Sequence, residues 1–260
     1  SQRAELTKAG WDSLDVGTEM VVNPNEWQTR GKKWQDVRTA INKAKRDGIT
    51  DVLATFKESP FSVQTQIREI SAQWAGEKAL PERGFTLGVD ELIDSRVRLL
   101  YAVDGNGKVL GVTSWLPTYR DGTIIGWTLD FMRHRTDSVN GIMEFLIARM
   151  AERLRDEGNV EFMSLSAALA GMGSNESEHE ESEVLRHALQ MVADIMEPAY
   201  GFHSLFRFKL KFHPDEEKVY ICYPDAAKLP QISLAVAQAY VPSLTPAEAM
   251  RFVRTIAPRD

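Results

Sequence analysis

The chain has 260 residues, 43% of them apolar and 26% charged, with a formal net charge of −6. That is enough material for one large domain or two small ones, and no apolar run approaches the roughly 18 residues of a membrane span. The single cysteine, Cys222, excludes an internal disulfide framework and suits a reducing cytosol.

The opening QRAELTKAGWDSL follows Ser1 with no methionine and reads as part of a longer protein; no signal peptide is visible. In GTEMVVNP, apolar Met20, Val21 and Val22 are bounded by turn residues, which predicts a short strand. Residues 33–47 read as a helix, because Trp34, Val37, Ile41 and Ala44 fall on one face and Gly48 ends it. This helix belongs to the most basic stretch of an acidic chain. From Arg30 to Asp47 there are Arg30, Lys32, Lys33, Arg38, Lys43, Lys45 and Arg46 against Asp36 and Asp47. Such a face binds anions by charge, or is only the solvated side of an amphipathic helix.

A second helix covers FSVQTQIREISAQWAGEK, and GFTLGVDELID opens a new unit. From Val97 to Arg133 three apolar runs are separated by DGNGK and YRDGT, both hairpin signals, so an antiparallel meander is predicted. The loop HRTDSVNG then leads into an amphipathic helix, IMEFLIARMAERLRDE, stopped by Gly158. VEFMSLSAAL is a further strand, SNESEHEESE (174–183) an acidic loop, and EVLRHALQMVADIMEPAYG a long helix. KVYICYP is the last strand, and LPQISLAVAQAYVP with TPAEAMRFVRTI forms a helical tail. Meander, loop, helix, strand, helix, strand is the order of an N-acetyltransferase-like (GNAT) domain. The predicted class is therefore α/β (α+β), with a mostly antiparallel mixed central sheet flanked by helices. HRTDSVNG lacks the glycines with which acetyl-CoA enzymes of this fold cradle a pyrophosphate, which disfavours that cofactor.

Four segments in a common order carry a resemblance to a family. They are GTEMVV; GKKWQDVRTAINKAKRDGI; LDFMRHRTDSVNGIMEFL; and AYGFHSLFRFKLKFHP with VYICYP. Together they resemble the cytosolic catalytic domain of aminoacyl-phosphatidylglycerol synthases, the multiple peptide resistance factor family. The resemblance runs from residue 17 to 224 and implies a tandem GNAT-like fold. Its implied parts are a reduced N-terminal lobe with the basic linker helix (1–80) and a catalytic lobe (81–260). It also implies transfer of an amino acid, lysine or alanine, from aminoacyl-tRNA to a hydroxyl of a membrane lipid such as phosphatidylglycerol or diacylglycerol. The domain would work at the cytoplasmic face of the cell membrane beside an N-terminal membrane-spanning region, with no cofactor and no metal. Two other readings stand beside it: a GNAT-like transferase with another donor or acceptor, and a non-catalytic module that binds tRNA or lipid headgroups.

Transfer between hydroxyls requires a proton acceptor, a stabilised oxyanion and two placed substrates. Asp130 and Arg133 lie where a GNAT sheet opens its cleft. At i and i+3 they would face opposite ways on a regular strand, so the strand must bend or end between them. Asp130 suits an amino-group ligand or a base, and Arg133 a phosphate or oxyanion ligand; an ion pair between the two is an equal reading. Asn140 and Gly141 start a helix whose free N–H groups favour an anion, although Asn140 also reads as a cap. In FRFKLKF, Arg207, Lys209 and Lys211 alternate with Phe206, Phe208, Leu210 and Phe212, predicting an extended segment with cations on one face. The family pattern links these lysines to catalysis or tRNA binding, with Lys209 near the scissile ester and Arg207 and Lys211 at the substrate. The same resemblance gives Lys32, Lys33, Arg38, Lys43, Lys45 and Arg46 to tRNA or headgroups. His134 adjoins the cleft, and the remaining histidines show no metal-ligand spacing with Cys222. The chain departs from the family where a glycine and a proline are replaced by Ser166 and Ala168, and in its acidic loop.

Overall fold

A computed structural model describes residues 2–78, 94–169 and 202–228, with positions 231, 232 and 235. The acidic loop, the helix expected over 183–201, the stretch opening at Gly84 and most of the helical tail lie outside the described residues. Helix α1 (Gln2–Lys8) precedes strand β1 (Asp12–Val22), and helix α2 (Gln35–Arg46) precedes β2 (Thr50–Ala54) and α3 (Phe61–Lys78). The meander follows as β3 (Arg98–Val103), β4 (Val109–Arg120) and β5 (Thr123–His134). Then come α4 (Ile142–Glu157), β6 (Phe162–Leu169), α5 (Phe202–Leu210) and β7 (Asp215–Tyr223). No helix among the described residues is long and apolar enough to cross a membrane.

The strands form a seven-stranded sheet in the order β2-β3-β4-β5-β6-β1-β7. Every neighbouring pair is antiparallel except β5–β6. This is the mostly antiparallel mixed sheet that the element order implied. Strands from residues 1–80 lie at one edge and between β6 and β7, so both parts of the sequence share the sheet.

One face of the sheet packs on α2 and α4, where Trp34, Val37 and Ala44 meet Phe145, Leu146 and Leu154 over Trp127 and Leu129. The other face packs on α3 through Val63, Ile67 and Ile70 against Leu99, Tyr101, Val112 and Phe131. Each Val, Leu, Ile or Phe among them taken fully from water contributes about 1.5–3 kcal/mol. The apolar stripe of α2 is therefore core, and Trp34 is buried rather than laid on a surface. Gly48, at φ 68°, closes the helix by letting Ile49 N–H reach the Ala44 carbonyl.

Two expectations are corrected. FRFKLKF is not extended: α5 is a helix whose last turn ends at His213 in the left-handed region, φ 49°. A two-residue alternation over seven residues does not exclude a 3.6-residue period. Residues 202–212 hold no β-branched side chain, while Leu, Lys and Arg favour helix. The cations consequently do not share a face: Lys209 turns inward near buried Phe212, while Arg207 stays exposed. Strand β1 also begins at Asp12, well before the predicted Met20, because β7 pairs with its first half.

Candidate functional site

The site is made by strands that part. β5 and β6 run parallel only from Gly126–Thr128 opposite Phe162–Ser164. Beyond that point β5 follows β4 as far as the His134–Gly111 pair, and β6 follows β1 through Ala167–Glu19. At the open end of β5 lies a cleft of about 550 Å³. Its walls are Gln73 and Trp74 of α3, the end of β5 from Met132, the 136–141 loop, the first turn of α4, and Ser204, Leu205 and Phe208 of α5.

The bend required between Asp130 and Arg133 is a β-bulge. Thr113 pairs with Met132 but Trp115 pairs with Leu129, so Ser114 alone spans Asp130 and Phe131. Its hydroxyl donates to Asp130 Oδ2 at 2.9 Å and accepts from Phe131 N–H at 3.3 Å, satisfying the N–H that the bulge leaves without a strand partner. The extra residue puts Phe131 on the α3 side, and Arg133 joins it there: its guanidinium lies 4.5 Å from the Phe131 ring and 4.7 Å from the Trp74 ring. Arg133 is thus buried, held by two aromatic faces at the cleft wall. Asp130 is not among the lining residues.

Asn140 and Gly141 both line the cleft, but their roles differ from the expectation for a capped helix. Gly141 is the N-cap, at φ 90°, and no side chain caps α4. Asn140 is exposed and free of capping duty. A Cβ on Gly141 would come within 2.9 Å of the Ala40 Cβ, so α2 passes against this end of α4. The uncapped helix start presents N–H groups and the positive end of a helix dipole to the cleft.

Lys209 lies at the parting of the strands rather than in the cleft. It is 4% exposed, and burial lowers its ammonium pKa from 10.5 to about 8, with the nearby Glu19 charge opposing that shift. Glu19 accepts from Ser164 Oγ at 2.6 Å, and Ser164 Oγ accepts from Ser166 N–H at 3.0 Å. Ser166 donates in turn to the Leu129 carbonyl across the gap. Ser166 stands at φ 69°, a conformation costing a non-glycine residue about 1–2 kcal/mol. The sequence resemblance expected a glycine at this position, and the bond to Leu129 offsets part of the strain. Glu19 was missed from the sequence; its signal is a carboxylate inside the apolar strand GTEMVV.

Lys211 is not free for a substrate, since its ammonium pairs with Glu144 Oε1 at 2.7 Å. Arg207 is exposed. In the basic stretch, Arg38 donates to the Thr29 and Gly31 carbonyls and so fastens the preceding loop. Lys43 pairs with Asp47 at 2.7 Å, and Lys33 lies over the Trp34 ring. Lys32, Lys45 and Arg46 are exposed and form no ion pair among the described residues. The His213 ring packs edge-on against Trp34 and donates to the Lys33 carbonyl at 3.1 Å. The end of the α5 segment is thereby fastened to the start of the basic stretch.

Known proteins are similar to this chain in sequence and in fold. An uncharacterized protein of Corynebacterium glutamicum is 39% identical over 238 residues, covering 91% of this chain and 30% of that one. The phosphatidylglycerol lysyltransferase of Bacillus subtilis is 29% identical over 221 residues, covering 82% and 24%. The solved structure of L-PGS from Bacillus licheniformis has the same fold, with a TM-score of 0.70 at 23% identity over 92% of this chain and 70% of that one. The chain spans about a quarter to a third of the length of these two curated relatives. Residues 1–223 match the family described as "Phosphatidylglycerol lysyltransferase, C-terminal", and the chain belongs to that family.

Proposed function

We propose that the chain transfers an aminoacyl group from aminoacyl-tRNA to a hydroxyl of a membrane lipid of the phosphatidylglycerol class. The observation that carries this reading is the cationic end of the cleft, where the ring-clamped Arg133 guanidinium adjoins the uncapped start of α4. Both substrates are phosphate-bearing, and the transition state adds a further negative oxygen. The reaction is a transesterification. The lipid oxygen bonds to the ester carbonyl carbon, the bond to the terminal ribose oxygen breaks, and one proton passes from the lipid hydroxyl to that ribose oxygen.

Arg133 and the α4 N–H groups hold phosphate or the developing oxyanion. Lys209, mostly protonated at neutral pH, adds a buried positive charge whose field is weakly screened. Asp130 acts through the bulge, fixing where Arg133 emerges. Lys32, Lys45, Arg46 and Arg207 attract the polyanionic donor to the cytoplasmic face of the membrane, where charged tRNA and lipid meet.

The test is to incubate the protein with radiolabelled lysyl-tRNA or alanyl-tRNA and vesicles of phosphatidylglycerol or diacylglycerol, then count label in the lipid fraction. RNase-sensitive labelling of phosphatidylglycerol from one donor supports the reading and names both substrates, whereas labelling of diacylglycerol alone would overturn the choice of a phosphate-bearing acceptor. Binding of RNA without label in lipid from any donor, on folded protein, overturns it in favour of a binding module.

A further inference from the structure

The reaction leaves one task unassigned: a group at the cleft that takes the proton of the incoming hydroxyl. We infer that His134 is this proton acceptor, acting through Nε2. The inference rests on the transfer reading above.

Few of the lining side chains can accept a proton. Arg133 remains charged, the hydroxyl and amide groups of Gln73, Thr136, Ser138 and Asn140 are not bases near neutral pH, and Glu144 is held in its ion pair with Lys211. Asp130, receiving the Ser114 hydroxyl, and the buried Lys209 are not among the lining residues. His134 lines the cleft with an exposed side chain.

The ring's tautomer follows from its contact. Nδ1 lies 2.8 Å from the Arg135 carbonyl oxygen, which only accepts, so Nδ1 carries the hydrogen. The neutral ring therefore offers Nε2 as a lone pair. The carbonyl that fixes it belongs to a firmly anchored residue. Arg135 N–H donates to the Leu110 carbonyl at 3.0 Å, its Nε donates to the Val109 carbonyl at 2.8 Å, and its guanidinium reaches Gln66 and Glu69 of α3. His134 itself ends β5 opposite Gly111, where a Cβ would stand 2.6 Å from Met143 Cε and 3.4 Å from the His134 Cβ. The missing side chain lets Met143 of α4 pack against the strand here, beside the His134 Cβ. A base oriented by a fixed carbonyl is the arrangement general-base catalysis needs.

In the step, the hydroxyl oxygen bonds to the carbonyl carbon as its proton moves to His134 Nε2. When the ribose oxygen leaves, the imidazolium returns that proton to it, and the enzyme ends unchanged.

The test compares His134→Asn with wild type in the vesicle assay. An asparagine amide can replace Nδ1–H towards the Arg135 carbonyl but supplies no base at Nε2. The expected result is a fall in kcat of about 100-fold or more with KM changed little. A second variant, His134→Ala, should regain transfer when imidazole is added to the buffer, which restored folding alone would not produce. H134N within about threefold of wild-type kcat, or H134A unmoved by imidazole while folded by circular dichroism, overturns the assignment and leaves the transfer reading intact. Absence of transfer by the wild type overturns the transfer reading, and this assignment with it.

Discussion

Replacing Lys209 with methionine separates what the buried ammonium does for the fold from what it does for the reaction. Burial lowers the Lys209 pKa from 10.5 to about 8. The folded value lies below the unfolded one, so between pH 8 and 10.5 the unfolded chain binds the proton that the folded chain has lost. Stability must therefore rise with pH across that window. At about 1.4 kcal/mol per pKa unit, the cost of keeping the charge buried is about 3 kcal/mol, present in full below pH 8 and gone above 10.5. Methionine fills similar space without the charge. Lys209→Met should consequently be at least as stable as wild type at pH 7, the gain being reduced by whatever attraction to Glu19 is lost. The assay is urea unfolding of both proteins at several pH values, taking the difference so that other titrating groups cancel. That difference should shrink by about 3 kcal/mol from pH 7.5 to 10.5. In the same protein, transfer should fall by orders of magnitude, the signature of a site that holds charge at the expense of stability. A wild-type-minus-variant difference that stays constant over this pH range would refute the account of a desolvated Lys209.

Gly141→Ala places a side chain at φ 90° and 2.9 Å from the Ala40 Cβ, so it should cost about 2 kcal/mol or more and lower Tm by about 4 °C or more; an unchanged melting curve would sink the close approach of α2 to α4. Asp51, on β2, accepts from Arg149 Nε at 2.8 Å and Arg153 Nε at 2.6 Å, pinning α4 to the sheet edge. Asp51→Asn should cost about 2 kcal/mol in urea unfolding, and a loss below about 0.5 kcal/mol would mean that the clamp is only a surface ion pair. Reversing exposed charges with Lys45→Glu and Arg46→Glu should raise KM for aminoacyl-tRNA and flatten its salt dependence with kcat nearly unchanged, whereas Arg38→Ala should lower Tm instead; equal KM effects from both would contradict the division between free and structural cations.

What the sequence made legible is what depends on neighbours along the chain. The stripe of α2 from Trp34 to Ala44 needs only a 3.6-residue period, and the two hairpins need only DGNGK and YRDGT. In the second hairpin Asp121 at φ 51° and Gly122 at φ 78° take the left-handed conformations such a turn demands. Strand β2 went unread because five residues, TDVLA, at a sheet edge carry too little pattern, and the length of β1 because its first half depends on β7 at the far end of the chain. The alternation in FRFKLKF misled for a related reason: its true period is set by what Lys209 and Phe212 are buried against, and that partner surface comes from elsewhere.

The site follows the same division, with one exception. The element order, by analogy with a GNAT sheet, put Asp130 and Arg133 at the cleft, and the regular alternation of a strand already required a break between them; Arg133 lines the cleft and Asp130 does not. The break is the bulge opposite Ser114, in the middle of β4, which no local pattern announces. Glu19 and Lys209 are far apart in sequence, and each alone is an ordinary charged residue. Only the sheet order, which inserts β1 beside β6, brings that carboxylate to the parting strands where α5 delivers the ammonium. The exception is Ser166. Its departure from the glycine that the resemblance led one to expect was visible as a letter, and the backbone at φ 69° shows why glycine would be at ease there. Ser166 remains tolerable because its hydroxyl reaches Leu129 across the gap, tying together the two strands whose separation makes the site.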